Sequence, residues 1–180
     1  MAFLYLDPAT AGHEACRRRM ADPVGPVSCR HVDEPAVVAA TAQGGDALRR
    51  VATAGADGAS ARIDARIRDS LRAITDTGGA DIPTELLARR AGLSPTRFRR
   101  LFVQQAGIGI RPYRRWARMI TVARVVAAGG DLTRAAADAG FATPSHLTHA
   151  FGQMFGLRPS HLLAAGGRIR VSAPETAARP

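Results

Sequence analysis

A set of small, turn-forming and aromatic residues occurs twice in this chain, and its spacing limits the fold more than any other feature. Ala88, Ala91, Gly92 and Leu93 recur 48 residues later as Ala136, Ala139, Gly140 and Phe141. After one inserted residue, Pro95, Phe98, Phe102, Gln104, Gly107 and Ile108 recur 49 residues later as Pro144, Leu147, Phe151, Gln153, Gly156 and Leu157. Ten positions with matched glycine, proline and apolar types predict one supersecondary unit present in two copies.

The unit itself is legible. Leu86 to Phe102 reads as a helix, a turn centred on Gly92, and a second helix with Ser94 as N-cap and Pro95 at its first position. Phe98, Leu101 and Phe102 fall at i, i+3 and i+4 and form the inward face, which turns Thr96, Arg99 and Arg100 outward. In the second copy Thr143 takes the capping role, Leu147, Ala150 and Phe151 face inward, and Ser145, Thr148 and His149 face outward. This is a helix-turn-helix pattern, whose second helix is shaped to enter a DNA major groove. Between the copies, a helix is expected from about Pro112 to Ala128, with Tyr113, Trp116, Ile120, Ala123 and Val126 as its apolar stripe. At ~1.5 Å per residue it is roughly 25 Å long, enough to hold two such helices about one DNA turn, ~34 Å, apart.

Charge agrees with this reading through its distribution. The chain carries +10, and its basic residues are arginines alone, since it has no lysine. Residues 1–80 balance 10 arginines with 10 acidic residues, whereas residues 81–170 hold 14 arginines against 4. The excess therefore lies with the repeated unit, as expected of a nucleic-acid-binding domain. An amphipathic helix of about 14 residues starting at Arg62, with Ile63, Ile67, Leu71 and Ile74 on one side, precedes the first copy and ends at Gly78-Gly79.

Residues 1–60 show less pattern. Phe3 to Leu6 reads as a short strand before Asp7-Pro8, and Pro35 to Gln43 and Asp46 to Ala54 as two short helices parted by Gly44-Gly45. Together they fit a small α/β unit, joined by a linker at Gly55–Ser60. Residues 167–180 are expected to be a disordered tail.

With the repeat, the basic connecting helix bearing Arg118 and Ala123, and Ala139-Gly140-Phe141 followed by Leu147, Phe151, Gly156 and Pro159, the chain resembles the DNA-binding domain of AraC/XylS-type bacterial transcription regulators. The resemblance covers about residues 62–165 and places a domain at residues 61–166. It implies a mainly α, seven-helix DNA-binding domain with two helix-turn-helix subdomains joined by a long helix, both recognition helices entering the major groove of a promoter or operator. By motif position, base reading is expected from Thr96, Arg99 and Arg100 in the first unit and from Pro144, Ser145 and His149 in the second. Contacts to the DNA backbone are expected from Arg97, Arg114, Arg115, Arg118, His146 and Thr148. Three departures stand out. Ala135 and Ala139 occupy positions where the family usually has a large aliphatic residue, which predicts a less tightly packed second unit. His149 stands where arginine is common, and residues 1–60 are too short for the effector or dimerisation domain that most members carry.

Other function classes find little support. The chain has no Gly-rich phosphate loop, no nucleophile elbow and no carboxylate cluster in its basic half, so no enzymatic activity and no cofactor are expected. His146 and His149 lie three apart without a carboxylate or thiol nearby in sequence, and no metal is expected. Cys16 and Cys29 are the only cysteines. They read as reduced thiols, and Arg17-Arg18-Arg19 beside Cys16 as a solvated charge run. Double-stranded DNA is the expected partner, with RNA polymerase and a second copy joined through residues 1–60 as further candidates. No apolar run approaches the ~20 residues that cross a bilayer, so no membrane partner is expected and the setting is expected to be cytoplasmic, on the nucleoid. The alternative is an architectural DNA-binding protein that uses its charge without sequence preference.

Overall fold

The computed structural model describes residues 4, 6–7, 10–24, 27–55, 63–164, 169 and 171. Among these the protein is mainly α, with ten helices and one two-stranded sheet. They fall into two compact units, one of residues up to 65 with residues 104–107, the other of residues 66–103 and from 108 onward.

The first unit begins with helix α1 (Ala11–Arg18), capped by the Thr10 hydroxyl, which accepts from the His13 N–H. Strands β1 (Met20–Val24) and β2 (Val27–His31) then form an antiparallel hairpin that pairs Met20 with His31 and Val24 with Val27. Helices α2 (Glu34–Gln43) and α3 (Gly45–Ala52) follow. His31 joins hairpin to helix. Its Nδ1 accepts from the Asp33 N–H at 3.1 Å, which leaves Nε2–H to donate to the Ala52 carbonyl at 3.3 Å. Arg19 pairs with Asp33 across the same corner. The core is thin, with Ala40, Ala47 and Leu48 buried and Leu4, Val37 and Val51 packed on them.

This unit corrects the sequence reading. The strand expected at Phe3–Leu6 is absent at Leu4 and Leu6, while Phe3 and Tyr5 lie outside the described residues. The strands occur instead around Pro23, which reads as a breaker. A two-stranded ribbon consists only of edges, so a proline without an N–H is tolerated there. The Gly55–Ser60 linker lies outside the described residues beyond Gly55, as does the 167–180 tail apart from 169 and 171.

Apart from Ala65 and residues 104–106, the second unit contains the seven helices that the resemblance implies: α4 (Ala65–Asp76), α5 (Thr84–Arg90), α6 (Pro95–Ala106), α7 (Ile110–Ala127), α8 (Leu132–Asp138), α9 (Pro144–Phe155) and α10 (Pro159–Ala164). Helix α7 has 18 residues and is thus about 27 Å long. It starts two residues before Pro112, because the first-turn N–H groups have no intrahelical partner and a proline there forfeits nothing.

The buried residues of α7 do not form one stripe. Ile110, Tyr113 and Ala117 are buried in its first half, Met119 and Val122 in its second. At about 100° per residue these groups point to nearly opposite sides of the helix. The two helix-turn-helix units therefore flank α7 on different sides at its two ends. On the first side Tyr113 meets the Phe102 ring edge-on at 5.7 Å, Phe98 stacks behind Phe102 at 5.9 Å, and the Tyr113 hydroxyl lies 3.3 Å from that of Thr75 on α4. On the second side Met119 and Val122 join Ala135, Ala136, Ala139, Phe141, Leu147, Ala150 and Phe151 in one buried cluster. Ala135 and Ala139, where larger side chains were expected, are fully enclosed by this cluster, with Leu132, Met154 and Leu162 closing its margin.

Candidate nucleic-acid interface

The repeat in sequence is also a repeat in hydrogen bonds. At the end of α5 the Gly92 N–H reaches the Arg89 carbonyl and the Leu93 N–H that of Ala88, both at 3.0 Å. At the end of α8, 48 residues on, Gly140 reaches Ala137 at 3.0 Å and Phe141 reaches Ala136 at 2.9 Å. Both glycines have positive φ, 64° and 69°, the left-handed conformation that closes a helix C-terminus. The following helices start alike. Ser94 Oγ accepts from the Arg97 N–H at 3.3 Å, and Thr143 Oγ1 accepts from the His146 N–H at 3.1 Å, now 49 residues apart. The inserted residue thus lies in the turn, and helices α6 and α9 emerge from equivalent scaffolds.

What each helix exposes follows from its buried face. With Phe98 and Phe102 buried on α6, Thr96, Arg97, Arg99 and Arg100 are exposed. With Leu147, Ala150 and Phe151 buried on α9, Pro144, Ser145, His146 and His149 are exposed and Thr148 is half-buried. The shift of 49 pairs Thr96 with Ser145, Arg97 with His146, Arg99 with Thr148 and Arg100 with His149. The expected base-reading residues therefore gather on the outer faces of two helices.

They differ in how free they are. The Arg99 guanidinium donates to Glu85 of α5 at 3.1 Å, an exposed pair of the kind worth at most about 1 kcal/mol and easily exchanged for another anion. Arg100 has no carboxylate partner among the described residues. Thr148 turns its hydroxyl back to the Pro144 carbonyl at 3.0 Å, which occupies its proton. His146 sets its ring against Phe141, edge to face at 5.4 Å. Helix α6 carries three arginines and no acid, while α9 carries no arginine or acidic residue at all.

The arginines of α7 separate into two kinds. Arg115 is exposed. Arg114 is only 13% exposed, paired with Asp81 at 2.6 Å and donating also to the Ile82 carbonyl. Arg118 donates from Nε to the Gly79 carbonyl at 3.2 Å, and its guanidinium lies 5.9 Å from the centre of the Phe141 ring. Both hold the loop between α4 and α5 on α7, and Arg118 also touches the turn of the second unit. This bracket has no sequence signal beyond the Gly78-Gly79 pair, which reads as a helix stop. Its physical reason is close approach. A Cβ on Gly79 would stand 2.5 Å from the Arg114 carbonyl oxygen and 2.9 Å from the Arg118 nitrogen, and φ there is +79°.

Other chemistry is sparse. Among the described residues no group of three or more His, Cys, Asp and Glu could hold a metal ion. Among the described residues no helix is long and apolar enough to cross a membrane. Burial pushes the Cys16 thiol above its usual range and Arg19 offsets this only in part, so the arginine run does not activate it.

Comparison with known proteins agrees with this geometry. Residues 87–165 match a family model described as a helix-turn-helix domain. The C-terminal domain of AraT, a response regulator from Geobacillus stearothermophilus, matches in fold with a TM-score of 0.52 at 20% identity, over 66% of this chain and 97% of that one. No curated protein matches the chain.

Proposed function

We propose that the chain, whose residues 87–165 match a helix-turn-helix family model, is a sequence-specific DNA-binding transcription regulator of the AraC/XylS type, acting by binding and not by catalysis. Helices α6 and α9 read successive major-groove segments of a promoter or operator. Thr96, Arg99 and Arg100 face base edges in the first segment, and Pro144, Ser145 and His149 in the second. Arg97, Arg115, His146 and Thr148 meet the DNA backbone around them, and Arg114 and Arg118 contribute mainly by fixing α7. The observation that carries this reading is the pair of exposed helix faces built on matching turn geometry at the two ends of one 18-residue helix. Residues 1–60 are the segment through which a second copy would join, RNA polymerase is a candidate protein partner, and the cytoplasmic nucleoid is the setting.

A competition gel-shift tests the proposal. Genomic fragments selected by the protein are labelled and challenged with excess random duplex at rising salt. The labelled complex is expected to survive competitor that removes non-specific complexes, because specific binding is typically about 10³-fold tighter or more. Equal competition by random duplex would establish the architectural, charge-driven alternative instead.

A further inference from the structure

Helix α9 lacks a permanent cation, yet a recognition helix is held in register by contacts to phosphate. On its outer side Ser145, Thr148, His149, Gly152 and Gln153 line an open depression whose remaining wall is Arg158, from the loop that leads into α10. Arg158 is exposed, and no carboxylate pairs with it among the described residues. Its backbone is fixed. The Arg158 carbonyl accepts from the His161 N–H at 3.1 Å and the Leu162 N–H at 3.3 Å, and the next residue, Pro159, is buried. The side chain thus leaves an anchored point beside a neutral recognition face. The repeat sharpens the case, because 49 residues earlier the equivalent position is Gly109, in the unit whose helix has its own arginines.

We propose that Arg158 is the phosphate-binding cation of the second recognition helix, its positive charge neutralising one backbone phosphate where α9 enters the groove. A phosphate is favoured over a base because residues at the N-terminal end of a recognition helix reach base edges, whereas Arg158 lies beyond its C-terminal end. The inference rests on the DNA-binding reading above.

The test measures binding of the full chain to a mixed-sequence duplex by fluorescence anisotropy across a salt series, for the wild type, Arg158→Gln and Arg158→Lys. Loss of one phosphate contact is expected to weaken binding and make the slope of log K against log salt shallower by about 0.9, while Arg158→Lys keeps the wild-type slope. A wild type that binds while Arg158→Gln shows an unchanged slope would overturn the role of Arg158 and leave the DNA reading standing. A wild type that does not bind duplex even at low salt would overturn both. Equal slope loss in Arg158→Lys would also count against it, because shape and not charge would then be at work.

Discussion

Replacing Gly79 with alanine is expected to destabilise the second unit by about 2–5 kcal/mol. Two costs add: a left-handed backbone for a residue with a Cβ, about 1–2 kcal/mol, and overpacking against a neighbouring helix, typically about 1–3 kcal/mol. The Cβ would meet the Arg114 carbonyl at 2.5 Å and the Arg118 nitrogen at 2.9 Å, which are backbone atoms of α7 and cannot swing aside. Relief requires the 79–82 loop to lift, and that movement breaks the Arg118 hydrogen bond to Gly79 and the Arg114 contacts to Asp81 and Ile82. Gly92→Ala is the matched control. Its φ is +64° but nothing lies within 4 Å of the added carbon, so only the backbone cost of about 1–2 kcal/mol is expected. Denaturant unfolding of the two variants checks this, and equal losses would show that the close approach to α7 carries no weight.

Replacing Arg100 with alanine is expected to lower affinity for the selected site by about 1–3 kcal/mol, roughly five- to 150-fold, and to relax preference at one base pair. Arg100 sits on the outward face of α6 and, unlike Arg99, is not engaged by a carboxylate among the described residues, so it is available to form a bidentate pair with guanine. Its counterpart on α9 is His149, which offers no such fork. The first helix is therefore expected to dominate readout, and His149→Ala to cost less than Arg100→Ala. Equal losses on selected and random duplex would reassign Arg100 to phosphate.

The parts of this molecule that could be read from its residues are those governed by local rules. Gly92 and Gly140, Ser94 and Thr143, and the apolar spacing from Phe98 to Phe102 and from Leu147 to Phe151 each specify a turn, a cap or a face within a few residues. Helix α1 and the hairpin escaped because their cues are weak or misleading. The Arg17–Arg19 run and Gly12 dilute any apolar stripe, and Pro23 and Pro26 read as punctuation although Pro23 pairs with Ser28 in the sheet. The roles of Arg114 and Arg118 escaped for a different reason. Both look like solvent-facing charges on a basic helix, and only the passage of Gly79 over α7 gives them carbonyl and carboxylate partners from 32 to 39 residues away. The single stripe expected of α7 likewise divides because the helix serves two cores on opposite sides, a tertiary fact that periodicity cannot hold.

The central claim is that two helices of one chain read two adjacent stretches of sequence. Repeated selection of bound duplexes from a random library, followed by sequencing, tests it most directly. The expected result is a motif with two conserved blocks centred about 10–10.5 base pairs apart, the block under α6 being the more strongly conserved. A selected pool with no shared sequence would contradict the account.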